Sequence, residues 1–164
     1  VGMSNVAQLC NNLHALYLAS GEHFVETPTY HVFDLYKTHQ GARQLGVMNE
    51  CGTFTPPEDK QRVYKPLDRV SVSASQAADG TVTITLANID LHEPVRVNLR
   101  GAGGSLTGRA LVRTLSSEDA HTCNTFENPT AVTPVERTID FVDGDALILP
   151  AASVTSVVIT PIAL

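Results

Sequence analysis

From Leu67 onward the chain repeats with a period of two, a pattern that a β-strand satisfies and a helix does not. Val70, Val72 and Ala74 alternate with Ser71, Ser73 and Ser75, and Asp79-Gly80 follows as a hairpin signal. Val82, Ile84 and Leu86 then alternate with Thr81, Thr83 and Thr85, and Val95, Val97 and Leu99 repeat the pattern after Pro94. Successive side chains on a strand point to opposite faces, so these segments carry one apolar face and one face of hydroxyls. Further strands are expected over 107–115, 135–141, 145–149 and 153–160, the last built on Val154, Val158 and neighbouring β-branched residues. About seven short strands separated by turn residues read as an antiparallel β-sandwich. No internal repeat of fixed period is visible.

The preceding residues have another character. Most aromatic residues and four of the six histidines lie before the stretch 50–66, whose polar residues and Pro56-Pro57 pair read as a linker. Thr27-Pro28 supplies an N-cap and a proline at the first helical position, where its missing N–H costs nothing. Tyr30, Phe33, Leu35 and Tyr36 carry that helix to about His39, with Gly41 as a stop. Before it, Val6, Leu9, Cys10, Leu13, Leu16 and Tyr17 recur at helical spacing, while Val1–Val6 fits a short buried strand equally well. The stretch Gly21–Glu26 reads as a loop leading into the helix.

Composition narrows the function classes. Hydrophobic residues make up 43% and charged residues 17%, which argues against wholesale disorder. A net charge of −6 without a run of Lys or Arg argues against nucleic acid and anionic lipid as partners. No apolar stretch approaches the roughly 20 residues of a membrane span. Cys10, Cys51 and Cys123 are odd in number, widely spaced and without a CxxC pair, so ordinary thiols in a reducing cytoplasm are expected. Val1 opens the chain with Met3 inside an apolar run and no leader marks secretion, so a piece of something longer is expected.

Few motifs carry chemistry on their own. Gly101–Gly108 is glycine-rich but lacks the Gly-Lys-Ser/Thr ending of a phosphate loop and lies between strand candidates, so it reads as a flexible connection. His14, His23, His31, His39, His92 and His121 show no metal-ligand spacing, and no GxSxG elbow is present. Glu22 and Glu26 precede the helix N-terminus, where exposed N–H groups could hold a polar ligand. Ala120–Pro129 is a polar insert, with Phe126 as an expected anchor and Asn124 and Asn128 as Asx turns.

Several blocks together resemble the C-terminal part of glycoside hydrolase family 51, the α-L-arabinofuranosidases. These are Ser4–Asn11, Gly21-Glu22, Thr27-Pro-Thr-Tyr-His-Val-Phe-Asp-Leu-Tyr-Lys37 and His39-Gln40. Val72–Ser75, Asp79-Gly80, Thr83–Asn88 and Asn124-Thr-Phe-Glu-Asn-Pro129, with the regions of Pro134 and Pro150, resemble the same family's terminal domain. The resemblance implies a mainly β chain, an antiparallel jelly-roll β-sandwich preceded by the last strand–loop–helix unit of a (β/α)8 barrel. Residues 1–50 would end the barrel, 51–66 link, and 67–164 form the sandwich. Within the first part, 1–8 would be strand eight, 11–27 its loop and 28–42 helix eight.

The same resemblance implies retaining hydrolysis of terminal α-L-arabinofuranosyl groups from arabinan or arabinoxylan, with no metal or organic cofactor. The family's acid/base and nucleophile glutamates come from barrel strands four and seven, so none of the catalytic residues is expected in this chain, which alone is expected to be inactive. What remains is the wall after strand eight, since barrel sites form at the C-terminal ends of strands. Some members place a sugar-contacting glutamine just before the threonine that matches Thr27, and Glu26 stands there in this sequence. Asn11, just past the strand end, is the second candidate for substrate binding. A homo-oligomeric, cytoplasmic parent is implied. The competing reading is a non-catalytic β-sandwich for carbohydrate binding or oligomerisation. Zero tryptophan and an aromatic content of 5% count against sugar binding.

Overall fold

The computed structural model of the chain describes residues 8–55 and 65–161. Elements follow in the order β1 (Tyr17–Ser20), β2 (His23–Glu26), α1 (Pro28–Tyr36), a 3-10 turn (Lys37–His39), β3 (Arg43–Gln44), β4 (Thr53–Phe54) and β5 (Leu67–Asp68). They continue as β6 (Val70–Gln76), β7 (Val82–Asn88), β8 (Val95–Asn98), β9 (Gly108–Leu115), β10 (Val135–Phe141), β11 (Ala146–Leu149) and β12 (Ser153–Pro161). The chain is therefore mainly β with little helix, and the strand ranges expected from alternation fall within a residue or so of β9 to β12.

Six strands form one antiparallel sheet in the order β10-β9-β12-β7-β6-β3. Its register places Ala74 beside Ile84, Ile84 beside Val157, and Val157 beside Val112, so apolar residues line one face across four strands. The β8–β11 ribbon lies over that face, and Leu147 and Leu149 join Val70, Leu86, Val157, Ile159 and Phe141 in the main core. Each such aliphatic side chain contributes roughly 1.5–3 kcal/mol by leaving water. The glycine-rich connection between β8 and β9 is tethered, because Asp143 Oδ1 accepts from the N–H groups of Gly101 at 2.7 Å and Leu106 at 3.2 Å. A carboxylate thus occupies the place a phosphate would need.

Hydroxyls on the opposite face are not left to water. Ser75, Thr83, Thr85 and Ser156 are buried there. Helix α1 packs over this face, and Leu35 meets Leu115 and Val132 in a second apolar cluster with Val32, Tyr36 and Val154. Asp34 reaches Arg113 of β9 at 2.7 Å. His39 bridges two strands, with Nδ1 2.7 Å from Ser75 Oγ and Nε2 3.1 Å from Thr85 Oγ1. Hydroxyls suit this role because each can donate or accept, whichever ring nitrogen holds the proton.

The helix forms as its cap predicts: Thr27 Oγ1 accepts from Tyr30 N–H at 3.3 Å, and Pro28 occupies the first turn. It is shorter than the expected 28–42, closing at Tyr36 into the 3-10 turn, with Gly41 beyond it at φ +72°. Upstream, one of two open readings drops out and one expectation fails. Residues 8–17 are not helical: Gln8, Asn11 and His14 take positive φ, Cys10 bridges Tyr17, and Leu9 and Leu13 are exposed. Residues 23–26 are strand rather than loop, paired with β1 so that the loop expected over 11–27 contains a hairpin. The strand expected over 1–8 lies outside the described residues apart from Gln8. Within the stretch read as a linker, β4 pairs with β5, and residues 56–64 lie outside the described range.

Burial holds the imidazoles of His31 and His39 below their usual pKa. The unfolded chain takes up these protons as pH falls below about 6.5, while the folded chain resists them, so stability falls with pH in that window. Thermal unfolding at pH 7.5, 6.5 and 5.5 should show a falling Tm. His39→Gln, whose amide can still bond both hydroxyls, should flatten the slope; an unchanged slope would remove His39 from the account.

Candidate functional site

The hairpin β1–β2 delivers Glu26 to the N-terminus of α1. Tyr17 lies opposite Glu26 in the register, and Phe24 stands two residues before it on the same face. The Tyr17 ring lies 4.8 Å from Phe24 and 5.3 Å from Tyr30, measured between centroids. Phe24 is 59% exposed. Glu26 is half-buried, and its negative charge beside the Tyr30 phenol pushes that hydroxyl's pKa up, so Tyr30 stays a neutral donor. A carboxylate acceptor, a phenol donor and apolar ring faces in one place can bond sugar hydroxyls while covering the C–H face of a ring.

Behind this face His31 is buried, with Nε2 lacking a hydrogen-bond partner among the described residues. Burial lowers its pKa although Glu26 and Asp34 act to raise it. Asp34 is held below the usual carboxylate range by its hydrogen bond from Lys37 and by Arg113, which also bonds Glu136 at 2.6 Å.

Asn11 is exposed, yet both ends of its amide serve the chain. Nδ2 donates to Ala19 O and Oδ1 accepts from Ala19 N–H, each at 2.8 Å. It braces β1, whereas Glu26 faces the aromatic cluster. Glu22 is exposed in the hairpin turn. Among the described residues, no group of three or more His, Cys, Asp or Glu could hold a metal ion, and Cys10, Cys51 and Cys123 are free thiols.

The polar insert contributes a residue whose role sequence reasoning missed. Asn124, 1% exposed, donates through Nδ2 to Glu26 O at 2.8 Å and Val132 O at 3.0 Å, and accepts from Val132 N–H at 2.7 Å. It is not the local Asx turn expected, since Glu26 lies 98 residues away in sequence. Phe126 is a partial anchor only, 40% exposed with its ring 6.0 Å from that of His23.

Among solved structures, the fold of the chain is similar to parts of glycoside hydrolases of family 51. The family 51 arabinofuranosidase from Xanthomonas axonopodis pv. citri matches with a TM-score of 0.80 and 32% identity, covering 97% of this chain and 31% of that one. The α-L-arabinofuranosidase from Thermotoga maritima, solved as an arabinose complex, shares the fold with a TM-score of 0.75 at 24% identity, covering 93% of this chain and 33% of that one. The intracellular exo-α-L-arabinofuranosidase of Bacteroides ovatus is 31% identical over 132 residues, 80% of this chain and 24% of that protein. The chain belongs to the α-L-arabinofuranosidase C-terminal domain family, whose description matches residues 1–153. It spans about a quarter to a third of the length of these relatives. Among the described residues, no helix is long and apolar enough to cross a membrane.

Proposed function

We propose that this chain is the C-terminal part of a retaining α-L-arabinofuranosidase that removes terminal α-L-arabinofuranosyl groups from arabinan- or arabinoxylan-type oligosaccharides. The observation that carries the reading is 32% identity across 97% of the chain with a family 51 enzyme of which it covers only 31%. Residues 1–50 close a (β/α)8 barrel and reach the edge of the six-stranded sheet at their end through β3, 51–66 link, and 67–164 form a jelly-roll sandwich. The parent works as a cytoplasmic homo-oligomer, a location in keeping with the intracellular Bacteroides ovatus relative.

The chemistry needs two carboxyl groups about 5–5.5 Å apart, one attacking the anomeric carbon and one protonating the departing oxygen, then activating water. Both belong to strands upstream of residue 1. Glu26 supplies an acceptor for an arabinosyl hydroxyl, a role supported by its place at the end of β2 among Tyr17, Phe24 and Tyr30. Asn11 contributes beside it by shaping the wall through Ala19. No cofactor takes part.

The 164-residue chain alone is expected to release no aryl leaving group from an aryl α-L-arabinofuranoside above the rate in buffer. Turnover that disappears on Glu22→Gln or Glu26→Gln would overturn the assignment of chemistry to the upstream region.

A further inference from the structure

The β1–β2 hairpin sets which way the Glu26 carbonyl points. Thr27 N–H donates to Leu16 O at 3.0 Å, so residues 16 and 27 are a hydrogen-bonded pair. In an antiparallel ladder such pairs alternate with non-hydrogen-bonded ones. The adjacent Tyr17–Glu26 pair is therefore of the second kind, and the Glu26 carbonyl turns away from β1. There it meets Asn124 Nδ2 at 2.8 Å. The insert around Asn124 lies between β9 and β10, and it touches β2 a second time where Phe126 faces His23. Its far end is fixed as well, because Val132 packs with Leu35 and Leu115.

We propose that Asn124 is a positioning residue for sugar binding: the insert of the β-rich region holds the peptide plane after Glu26, and so aims the Glu26 carboxylate at the arabinosyl group. This rests on the reading that Glu26 contacts the sugar. Every polar atom of the Asn124 amide is used, with no slack for the strand end to shift while the insert stays in place. The β-rich region thereby sets part of the binding wall although its own side chains stay outside the reaction.

The test uses the parent enzyme, with an aryl α-L-arabinofuranoside as probe. Asn124→Ala removes all three bonds. Asn124→Asp keeps an acceptor for Val132 N–H but sets a carboxylate oxygen against two carbonyls. Both should lower kcat/KM by about tenfold, most of it as a higher KM. Leu115→Ala, which loosens the same interface by packing alone, should lower Tm while leaving KM within about twofold. If the Asn124 variants lower Tm but leave KM where Leu115→Ala leaves it, the proposal is wrong. If Glu26→Ala also leaves KM unchanged, the reading of Glu26 fails beneath it; if Glu26→Ala raises KM, only the role of Asn124 fails. Should both Asn124 variants not accumulate as folded enzyme, Thr125→Val is read the same way. It removes only the hydroxyl that accepts from Asn128 N–H at 3.1 Å, and an unchanged KM would again count against the proposal.

Discussion

Replacing Phe141 with alanine is expected to destabilise the chain by about 3–5 kcal/mol, the range for deleting a buried aromatic ring from a core. Phe141 is 1% exposed and is among the largest fully buried side chains of the described residues. It ends β10 and joins the main core with Leu147 and Leu149 of β11 and Val157 and Ile159 of β12. The cavity would be lined by β11 and by β12, which is paired on both sides, so little collapse could refill it. Urea unfolding followed by circular dichroism measures the loss, and Tm should fall by roughly 6–20 °C for a chain of this size. Val142→Ala is the control: Val142 is the next residue and is 55% exposed, so a change within about 0.5 kcal/mol is expected there. A loss below about 1 kcal/mol for Phe141→Ala would mean that the apolar face is not closed as described.

Gly108→Ala is expected to cost about 3 kcal/mol or more, through crowding rather than through an empty space. A Cβ at Gly108 would lie 2.2 Å from Thr160 O and 2.9 Å from Thr160 C. Those atoms are backbone of β12, hydrogen-bonded to β9 along this stretch, and cannot rotate aside as a side chain could. The strands must separate at that end, which also disturbs Phe141, the partner of Gly108 in β10. Amide hydrogen exchange should show protection lost first at Ile159 and Ala110. Gly103→Ala is the contrast, since nothing lies within 4 Å of its added methyl. It should be neutral or stabilise by up to about 1 kcal/mol through the unfolded chain. Equal effects at both glycines would rule out the close approach of the strands.

Much of the β framework was legible because its pattern is local. Val82, Ile84 and Leu86 alternate with Thr81, Thr83 and Thr85 in a way that places β7 without knowledge of its partners, and Thr27-Pro28 places the start of α1. What failed depended on distant neighbours. The hydroxyls of Ser75 and Thr85 look like a wet face until His39, 36 and 46 residues away, is seen to bond them. Val154 and Val158 mark β12 in the sequence, yet Val157 and Ile159 face the main core while Val154 packs beneath the helix. Leu9 and Leu13 mimic a helical stripe, but they stand on a turn whose exposed leucines have no partner among the described residues. At the candidate site Glu26 could be singled out because it precedes the helix cap. Its aromatic neighbours follow from the register of a hairpin that the sequence presents as a loop. Asn124 could be found only in three dimensions, since a side-chain bond across 98 residues leaves no spacing to read.

The two borders of the six-stranded sheet bear on how copies of the chain behave toward one another. Unpaired strand edges invite further strands and so seed self-association. On the β6 side, Leu45 N–H donates to Ala74 O at 2.9 Å and Asn49 Nδ2 to Val70 O at 2.7 Å, so the segment after the helix lies along the border like a hem. On the other side, β10 carries Glu136, Arg137 and Asp140, all exposed. A second β10 arriving there would bring its own charges and strip water from both sets. Neither border offers a long apolar template, so the chain is protected against fibre-like stacking through this sheet.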